Sequence, residues 1–163
     1  MPKRLPQAHS YPTRATATLR YWDSQQRQWI ELDLDSVVWF TWLAQDRSFR
    51  YTYHPRGEQA INFTVRPEKR GQRTYWQGWK TIAGQTIKKY LGVSAKLTQA
   101  KLDTVATWFA QQVKTNRDQT MRLYAVVVDL IWLVERLIEG NGHPELAQQA
   151  QRELDRIRRE IEP

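Results

Sequence analysis

The sequence of 163 residues contains no cysteine, which excludes disulfides, thiol catalysis and thiolate metal sites. Histidine is also scarce. His9, His54 and His143 have no carboxylate neighbour at the spacing of metal ligands, so no metal site is predicted. The longest hydrophobic run, at 123–134, contains Asp129 and is shorter than the roughly twenty residues that a membrane span needs. That run predicts a buried helix and no membrane partner.

Sequence motifs of secretion and of catalysis are missing as well. The N-terminal residues are basic but lack the apolar segment of a secretory signal. There is no nucleophile elbow, no phosphate-binding glycine loop and no nucleotide-binding motif. Asp33 and Asp35 are placed as a turn residue and a helix cap rather than as an acid and base pair. We therefore expect a cytoplasmic protein that is not an enzyme and needs no cofactor.

Acidic residues are nearly absent from one quarter of the chain. The net charge is +8, and between residues 61 and 101 nine lysines and arginines are accompanied by Glu68 alone. This segment therefore carries the whole excess of positive charge. A concentrated cationic segment attracts polyanions, and nucleic acid is the commonest such partner of a cytoplasmic protein.

Alternating apolar residues and turn residues predict short strands in the first two thirds of the chain. We expect a hairpin within 16–32, a short helix at 36–45 capped by Asp35, strands at 49–53 and 61–66, and a hairpin formed by 74–81 and 85–91. A helix capped by Thr98 and ending near Val113 would cover the sheet with an apolar stripe. A polar break at 114–119 would then separate it from a second helix.

The predicted fold is α+β. A small antiparallel β-sheet, made of a three-stranded basic meander and an N-terminal hairpin, is backed by a helix and followed by a C-terminal helical hairpin. The last helix is expected to begin at Pro144, with apolar residues at the spacing of a coiled-coil seam. The predicted domains are a flexible basic arm at 1–15, a β-rich DNA-binding domain at 16–115, and a helical hairpin at 116–163 for oligomerisation or partner binding.

The hairpin within 74–92 combines aromatic residues with lysines. Side chains alternate between the two faces of a strand, so Trp76, Gly78 and Lys80 lie opposite their neighbours. The register across the turn is not fixed by the sequence. The pattern favours a solvent-facing set of Tyr75, Gln77, Trp79, Thr86, Lys88 and Tyr90.

Such a surface is suited to nucleic acid in two ways. A three-stranded sheet can lie in the major groove of DNA, with Gln77 pairing with adenine and Arg66 or Arg73 with guanine. The same aromatic side chains can stack on unpaired bases. Core packing is the simpler alternative for aromatic residues on strands. The predicted nucleic-acid contacts are Arg66, Lys69, Arg70, Arg73, Tyr75, Gln77, Trp79, Lys80, Lys88, Lys89 and Tyr90.

Four segments occur in order between residues 37 and 111: VVWFTWLAQDRSFRYTY, FTVRPEKRGQRTYWQGWK, KKYLG and LTQAKLDTVATWF. Together they resemble an N-terminal segment of large LuxR/MalT-type bacterial transcriptional regulators. Residues 75–92 are also similar to the arm-type DNA-binding domain of tyrosine integrases, in which a three-stranded sheet backed by a helix reads the major groove. No ATPase, helix-turn-helix or recombinase domain is present in this sequence, so the resemblance implies a free-standing module with its own helical tail.

The predicted function is therefore binding of double-stranded DNA without catalysis. The protein would act as a small transcriptional regulator or as an accessory factor of a mobile element or defence system. Its C-terminal helices would pair with a second copy, as a homodimer, or with a larger protein partner. Two alternatives remain open: an adaptor that acts through its C-terminal helices, and a binder of single-stranded nucleic acid.

Overall fold

The computed structural model describes residues 5–140, together with residues 145, 148, 149, 151, 152, 155 and 156. The chain divides into two compact units, Met1–Lys114 and Thr115–Pro163. The strands are β1 (Gln7–Ser10), β2 (Thr18–Asp23), β3 (Gln28–Asp33), β4 (Phe49–Tyr53), β5 (Ile61–Arg70), β6 (Arg73–Ile82) and β7 (Gln85–Val93). The helices are α1 (Val37–Leu43), a 3-10 turn (Ser94–Lys96) and α2 (Gln99–Gly140).

All seven strands form one sheet in the order β3-β2-β1-β4-β5-β6-β7. Neighbouring strands are antiparallel except β1 and β4, which are parallel. The α+β class is thus confirmed. The predicted three-stranded meander is instead a run of four strands, β4 to β7, and it is continuous with the N-terminal hairpin of β2 and β3.

Strand β1 joins the N-terminal hairpin to the four-strand run, because it pairs with β2 on one side and β4 on the other. The sequence analysis assigned its residues to a flexible arm, which is wrong for Gln7–Ser10. Ala8 and Ser10 of this strand are buried beneath the helices. The four residues lie between Pro6 and Pro12 and are too few to show a strand period, so their pairing partners alone make them a strand.

The described helical segments of the unit Met1–Lys114 pack on the same side of the sheet, which we call the helix side; the other is the open face. The core on the helix side is rich in aromatic residues. Trp39 and Trp42 of α1 stack with ring centres 5.8 Å apart, and Phe49 packs edge-on against Trp39. The Trp39 indole nitrogen donates to the backbone oxygen of Leu97 at 2.9 Å, which ties α1 to the segment that precedes α2.

Helix α1 begins one residue later than the predicted cap requires. The backbone nitrogen of Trp39 donates to Ser36 Oγ at 3.1 Å, so Ser36 is the cap. Asp35 caps the other helix instead, since the backbone nitrogen of Gln99 donates to its carboxylate at 2.8 Å. Each of the two residues thus accepts a hydrogen bond from one free backbone nitrogen, Ser36 at the start of α1 and Asp35 at the start of α2.

The first part of α2 covers the sheet as predicted. Thr98 accepts from the backbone nitrogen of Lys101 at 3.3 Å, which confirms it as a cap. The predicted apolar stripe is buried, with Phe109 in contact with the ring of Phe63. Asp103 adds a polar tie, because the hydroxyl of Tyr51 donates to its carboxylate at 2.6 Å. Burial and this carboxylate raise the pKa of Tyr51 far above its usual range, so the phenol stays neutral.

Helix α2 continues through 114–119, where a break was predicted, so the division into two helices at this position is wrong. The segment KTNRDQ contains neither proline nor glycine, and polar residues by themselves do not end a solvated helix. The predicted third helix from Pro144, with its apolar seam, depends on side chains that lie outside the described residues.

The apolar run at 123–134 was predicted to be buried, and the structure contradicts this. Within the unit Thr115–Pro163, Leu123, Val126, Leu130 and Val134 are between 40% and 66% exposed. Among the described side chains of this stretch, Ile131 is buried. Among the residues that the structure describes, no helix has both the length and the hydropathy that crossing a membrane requires.

Candidate nucleic-acid interface

The open face is built by the strand residues that alternate with the core residues. Strand register brings one residue from each of the seven strands into a line across this face. We call this line the central row, and from β7 to β3 it consists of Lys88, Trp79, Thr64, Arg50, Gln7, Arg20 and Glu31. The row places cations from three different strands beside aromatic and neutral polar side chains.

Trp79 is the aromatic centre of the β5–β7 half of the open face. Lys88 Nζ lies 4.0 Å from the centre of its ring, and Arg66 Cζ lies 4.9 Å from it. Both distances are within the range of cation–π attraction. The two cations come from the strands on either side of β6, so the indole is half-buried between them while staying accessible from the open face.

The other tryptophan of β6, Trp76, occupies the core, where its indole nitrogen donates to Ser94 Oγ at 2.9 Å. The predicted solvent-facing set is thereby confirmed in its placement. Tyr75, Gln77 and Trp79 share the open face with Thr86, Lys88 and Tyr90.

The predicted contact residues do not all share this face. Eight lie on it: Arg66, Arg70, Arg73, Tyr75, Gln77, Trp79, Lys88 and Tyr90. Lys69, Lys80 and Lys89 lie on the helix side, because they alternate with those residues along the strands. Their assignment to one surface with the others is therefore wrong.

Each of these three lysines has a partner on the helix side. Lys69 pairs with Asp46 at 3.0 Å. Lys80 Nζ donates to the backbone oxygen of Asn62 at 2.8 Å, and partial burial lowers its pKa. Lys89 Nζ lies 4.4 Å from the ring centre of Trp108 on α2. Their charges thus contribute to the structure of the unit rather than to the open face.

Glu68, the lone acid of the cationic segment, lies on the open face and engages the predicted base reader. The side-chain amide of Gln77 donates to Glu68 Oε2. Arg70 donates to Oε1 of the same carboxylate through two nitrogens, each at 3.1 Å. A bidentate contact to adenine needs the amide nitrogen of Gln77 as well as its oxygen. The structure therefore does not leave Gln77 free for that role.

A second aromatic cluster, which the sequence analysis missed, lies at the ends of β1 and β4. The rings of Tyr11 and His54 stack with centres 4.2 Å apart and an angle of 7°. His9 Nδ1 and His54 Nε2 share a hydrogen bond of 3.3 Å, and Arg14 Cζ lies 5.2 Å from the centre of the Tyr11 ring. We call these three rings the His9–Tyr11–His54 stack.

Partial burial and the neighbouring His54 lower the pKa of His9. The imidazole is therefore neutral at pH 7. The local sequence does not predict this stack, because His54 is 45 residues away from His9. Only the parallel pairing of β1 with β4 brings the two residues together.

The far end of the open face is also aromatic. Trp22 and Trp29 face each other across β2 and β3, with ring centres 5.6 Å apart, and they are 48% and 51% exposed. Arg20 Cζ lies 4.8 Å from the Trp29 ring and its side chain pairs with Glu31 at 3.5 Å. Exposed tryptophans beside arginine recur here, at the opposite end of the sheet from Trp79.

Positive charge predominates on the open face. Its strand carboxylates are Glu31, Asp33 and Glu68, and its strand cations are Arg20, Arg50, Arg66, Arg70, Arg73 and Lys88. Within the described part of the chain, Arg50, Arg66, Arg73 and Lys88 have no carboxylate within ion-pair distance. These four cations are available to an external anion.

Comparison of the chain with protein-family models, curated proteins and solved structures finds no match. The resemblance to LuxR/MalT-type regulators and to integrase arm domains therefore stays a prediction. Among the described residues, no group of three His, Asp or Glu side chains is arranged to hold a metal ion.

Proposed function

We propose that the protein binds DNA through the open face of its sheet, without catalysing a reaction. The observation that carries the proposal is the arrangement at Trp79, where an indole accessible from the open face lies between Lys88 and Arg66. Proteins that bind unpaired nucleic acid combine aromatic rings, on which bases stack, with cations that contact the backbone phosphates.

The composition of the whole face supports the same ligand. A face that only solvated the sheet would carry polar residues of both signs and few large rings. This face instead exposes Trp22, Trp29 and Tyr90. It also has arginines and a lysine that no carboxylate of the described chain neutralises. Nucleic acid fits such a face, because its phosphates can contact the unpaired cations and its bases can stack on the aromatic rings.

The cellular role that we propose is that of a small transcriptional regulator or of an accessory factor of a mobile element or defence system. It rests on the resemblance of residues 37–111 to the N-terminal segment of LuxR/MalT-type regulators and of residues 75–92 to integrase arm domains.

Fluorescence anisotropy with a labelled 20-base-pair duplex and a labelled single strand, each across a salt series, tests the binding proposal. Phosphate contacts predict that the logarithm of the association constant falls linearly with the logarithm of salt concentration. Absence of binding to both probes at about 50 mM salt, a concentration that favours phosphate contacts, would contradict the proposal.

A second candidate function, assembly through α2, is favoured by the apolar residues exposed in the unit Thr115–Pro163. Leu123, Val126, Leu130 and Val134 follow one another at spacings of three, four and four, which places them on one helix face. Spacings of three, four and four add up to an 11-residue repeat, a pattern that supercoiled helices also use. We propose that the face pairs with a second copy of the chain, and sedimentation velocity over a concentration series tests it.

A further inference from the structure

The width of the sheet bears on which form of nucleic acid the open face accommodates. Neighbouring strands lie about 4.8 Å apart, so a sheet of seven strands is about 29 Å wide. The major groove of DNA is about 12 Å wide and admits a helix or a two-stranded ribbon. The prediction that the sheet lies in the major groove of DNA assumed a sheet of three strands. With seven strands, the middle of the open face does not fit into a duplex groove.

An unpaired strand has no such restriction, because its bases turn outwards and its backbone can follow a surface. The open face offers two neighbouring grooves for it, of about 420 and 450 Å³. The first contains Gln7, Tyr11 and Trp29, and the second contains Arg50 and Trp79. Gln7 and Arg50 are paired across β1 and β4. The two grooves therefore meet at the central row.

The aromatic groups lie in two directions from this meeting point. Trp79 lies two strands from Arg50, across the sheet. Tyr11 and His54 lie four residues beyond Gln7 and Arg50, along the direction of β1 and β4. Arg50 is exposed and has no carboxylate partner in the described chain. A cation between two ring systems is the arrangement in which bases stack on the rings while a phosphate between them meets the cation.

We propose that the ligand of the open face is a single-stranded nucleic acid that crosses the strands of the sheet. One base stacks on Trp79, another stacks at the His9–Tyr11–His54 stack, and Arg50 contacts the backbone between them. This inference rests on the proposed function and specifies its ligand. It also assigns a role to Tyr11, His54 and Arg50, which lie outside the cationic segment at 61–101.

Binding of labelled dT20, rU20 and a 20-base-pair duplex to the full chain at one salt concentration tests the inference. We expect the single strands to bind at least tenfold more tightly than the duplex and to quench tryptophan fluorescence. Trp79→Ala and Tyr11→Leu should each weaken single-strand binding about 5- to 150-fold, the range for loss of one stacked base. Tyr124→Ala, which removes an exposed tyrosine of α2, is the matched control and should leave binding unchanged.

The outcomes separate the two proposals. If no probe binds, the proposed function is wrong. If the duplex binds as tightly as dT20, DNA binding stands but the single-strand path is wrong. The same conclusion follows if Trp79→Ala and Tyr11→Leu leave dT20 binding unchanged, provided that circular dichroism shows a native fold for both variants. Arg50→Gln provides a separate check, because loss of one phosphate contact should reduce the salt slope of single-strand binding by about 0.7.

Discussion

Lys88 lies directly opposite Trp79 in the ladder between β6 and β7, with its Nζ 4.0 Å from the centre of the indole ring. Lys89, the next residue, points to the other side of the sheet and lies against Trp108. Two consecutive lysines of equal charge thus have different surroundings. The sequence analysis gave them the same role, so together they form a matched pair of sites for mutation.

Lys88→Ala should reduce the salt slope of single-strand binding by about 0.7, since one phosphate contact is lost. Lys89→Ala removes the same charge from the helix side and should leave the slope unchanged. Anisotropy across a salt series measures both. Equal losses in the two variants would mean that net charge, rather than the open face, determines binding.

Removal of the negative charge of Glu68 should strengthen binding. Glu68 lies among Arg70, Gln77 and Tyr75 on the open face, where it repels phosphates and engages Arg70. Glu68→Gln should increase affinity about threefold at low salt, the size expected for one unit charge near exposed groups, and the gain should shrink as salt rises.

Glu58→Gln is the control for this measurement. Glu58 lies outside the strands and pairs with Lys114 at 3.5 Å, so its loss changes the net charge equally without changing the open face. A gain as large for Glu58→Gln as for Glu68→Gln would contradict the proposed location of the ligand.

Gly78→Ala should destabilise the fold. A Cβ at this position would lie 3.1 Å from two atoms of the Phe63 ring and 3.3 Å from the ring of Phe109. Both rings are buried between the sheet and α2, so they have little room to move. We expect the free energy of unfolding to fall by about 1–3 kcal/mol, measured by urea denaturation.

Thr81→Ala, at an exposed position of the same strand, should change the free energy of unfolding by no more than about 0.5 kcal/mol. The sequence pattern placed Gly78 on the same face as Trp76 but indicated no packing role for it. The contact with Phe63 instead makes it a packing residue, and full stability of Gly78→Ala would refute this.

Stability should decrease as the pH falls below about 6.5, the ordinary pKa of histidine, because His9 has a lowered pKa in the folded protein. The unfolded chain then takes up a proton that the folded chain excludes, so acid favours unfolding until the pH is below the folded pKa as well. Thermal melting between pH 7 and pH 5 should show a smaller decrease in Tm for His9→Gln than for the natural sequence.

His54→Gln should show an intermediate decrease, since it removes one of the two causes of the shift, the neighbouring imidazole, and leaves the burial of His9. If the Tm of His9→Gln falls as steeply over this pH range as the Tm of the natural sequence, groups other than His9 control the pH dependence of unfolding.

Leu130→Glu should reduce self-association. Leu130 is 55% exposed and lies on the apolar face that it shares with Leu123, Val126 and Val134. A buried charge in the middle of a helix pair is costly, so the mass measured by sedimentation velocity should shift towards that of one chain. Ala125→Glu, which introduces the same charge on the opposite side of the helix, should leave the mass of the assembly unchanged. A natural protein that sediments as one chain at every concentration would contradict the pairing.

Local patterns in the sequence were enough for the features that depend on neighbouring residues. The alternation along β6 placed Trp76 and Trp79 on opposite faces and favoured Trp79 on the solvent side, and Thr98 was identified as a cap of α2. The same alternation placed Lys80 opposite Trp79. The interpretation of the cluster as one surface was wrong because it counted charges along the chain without separating the two faces.

Other features were decided by contacts between distant residues. The pairing of β1 with β4 connects the N-terminal hairpin with the meander and assembles the His9–Tyr11–His54 stack. The engagement of Gln77 by Glu68 similarly depends on which residues of β5 and β6 face each other.

The amino-acid sequence by itself determined the strand and helix periods, the excess positive charge at 61–101 and the absence of thiol chemistry, because each follows from residue types and their local spacing. Only the tertiary structure decided the width of the sheet, the register across its turns and the assembly of the His9–Tyr11–His54 stack. These depend on strand order and register, which are set by packing between segments far apart in the chain.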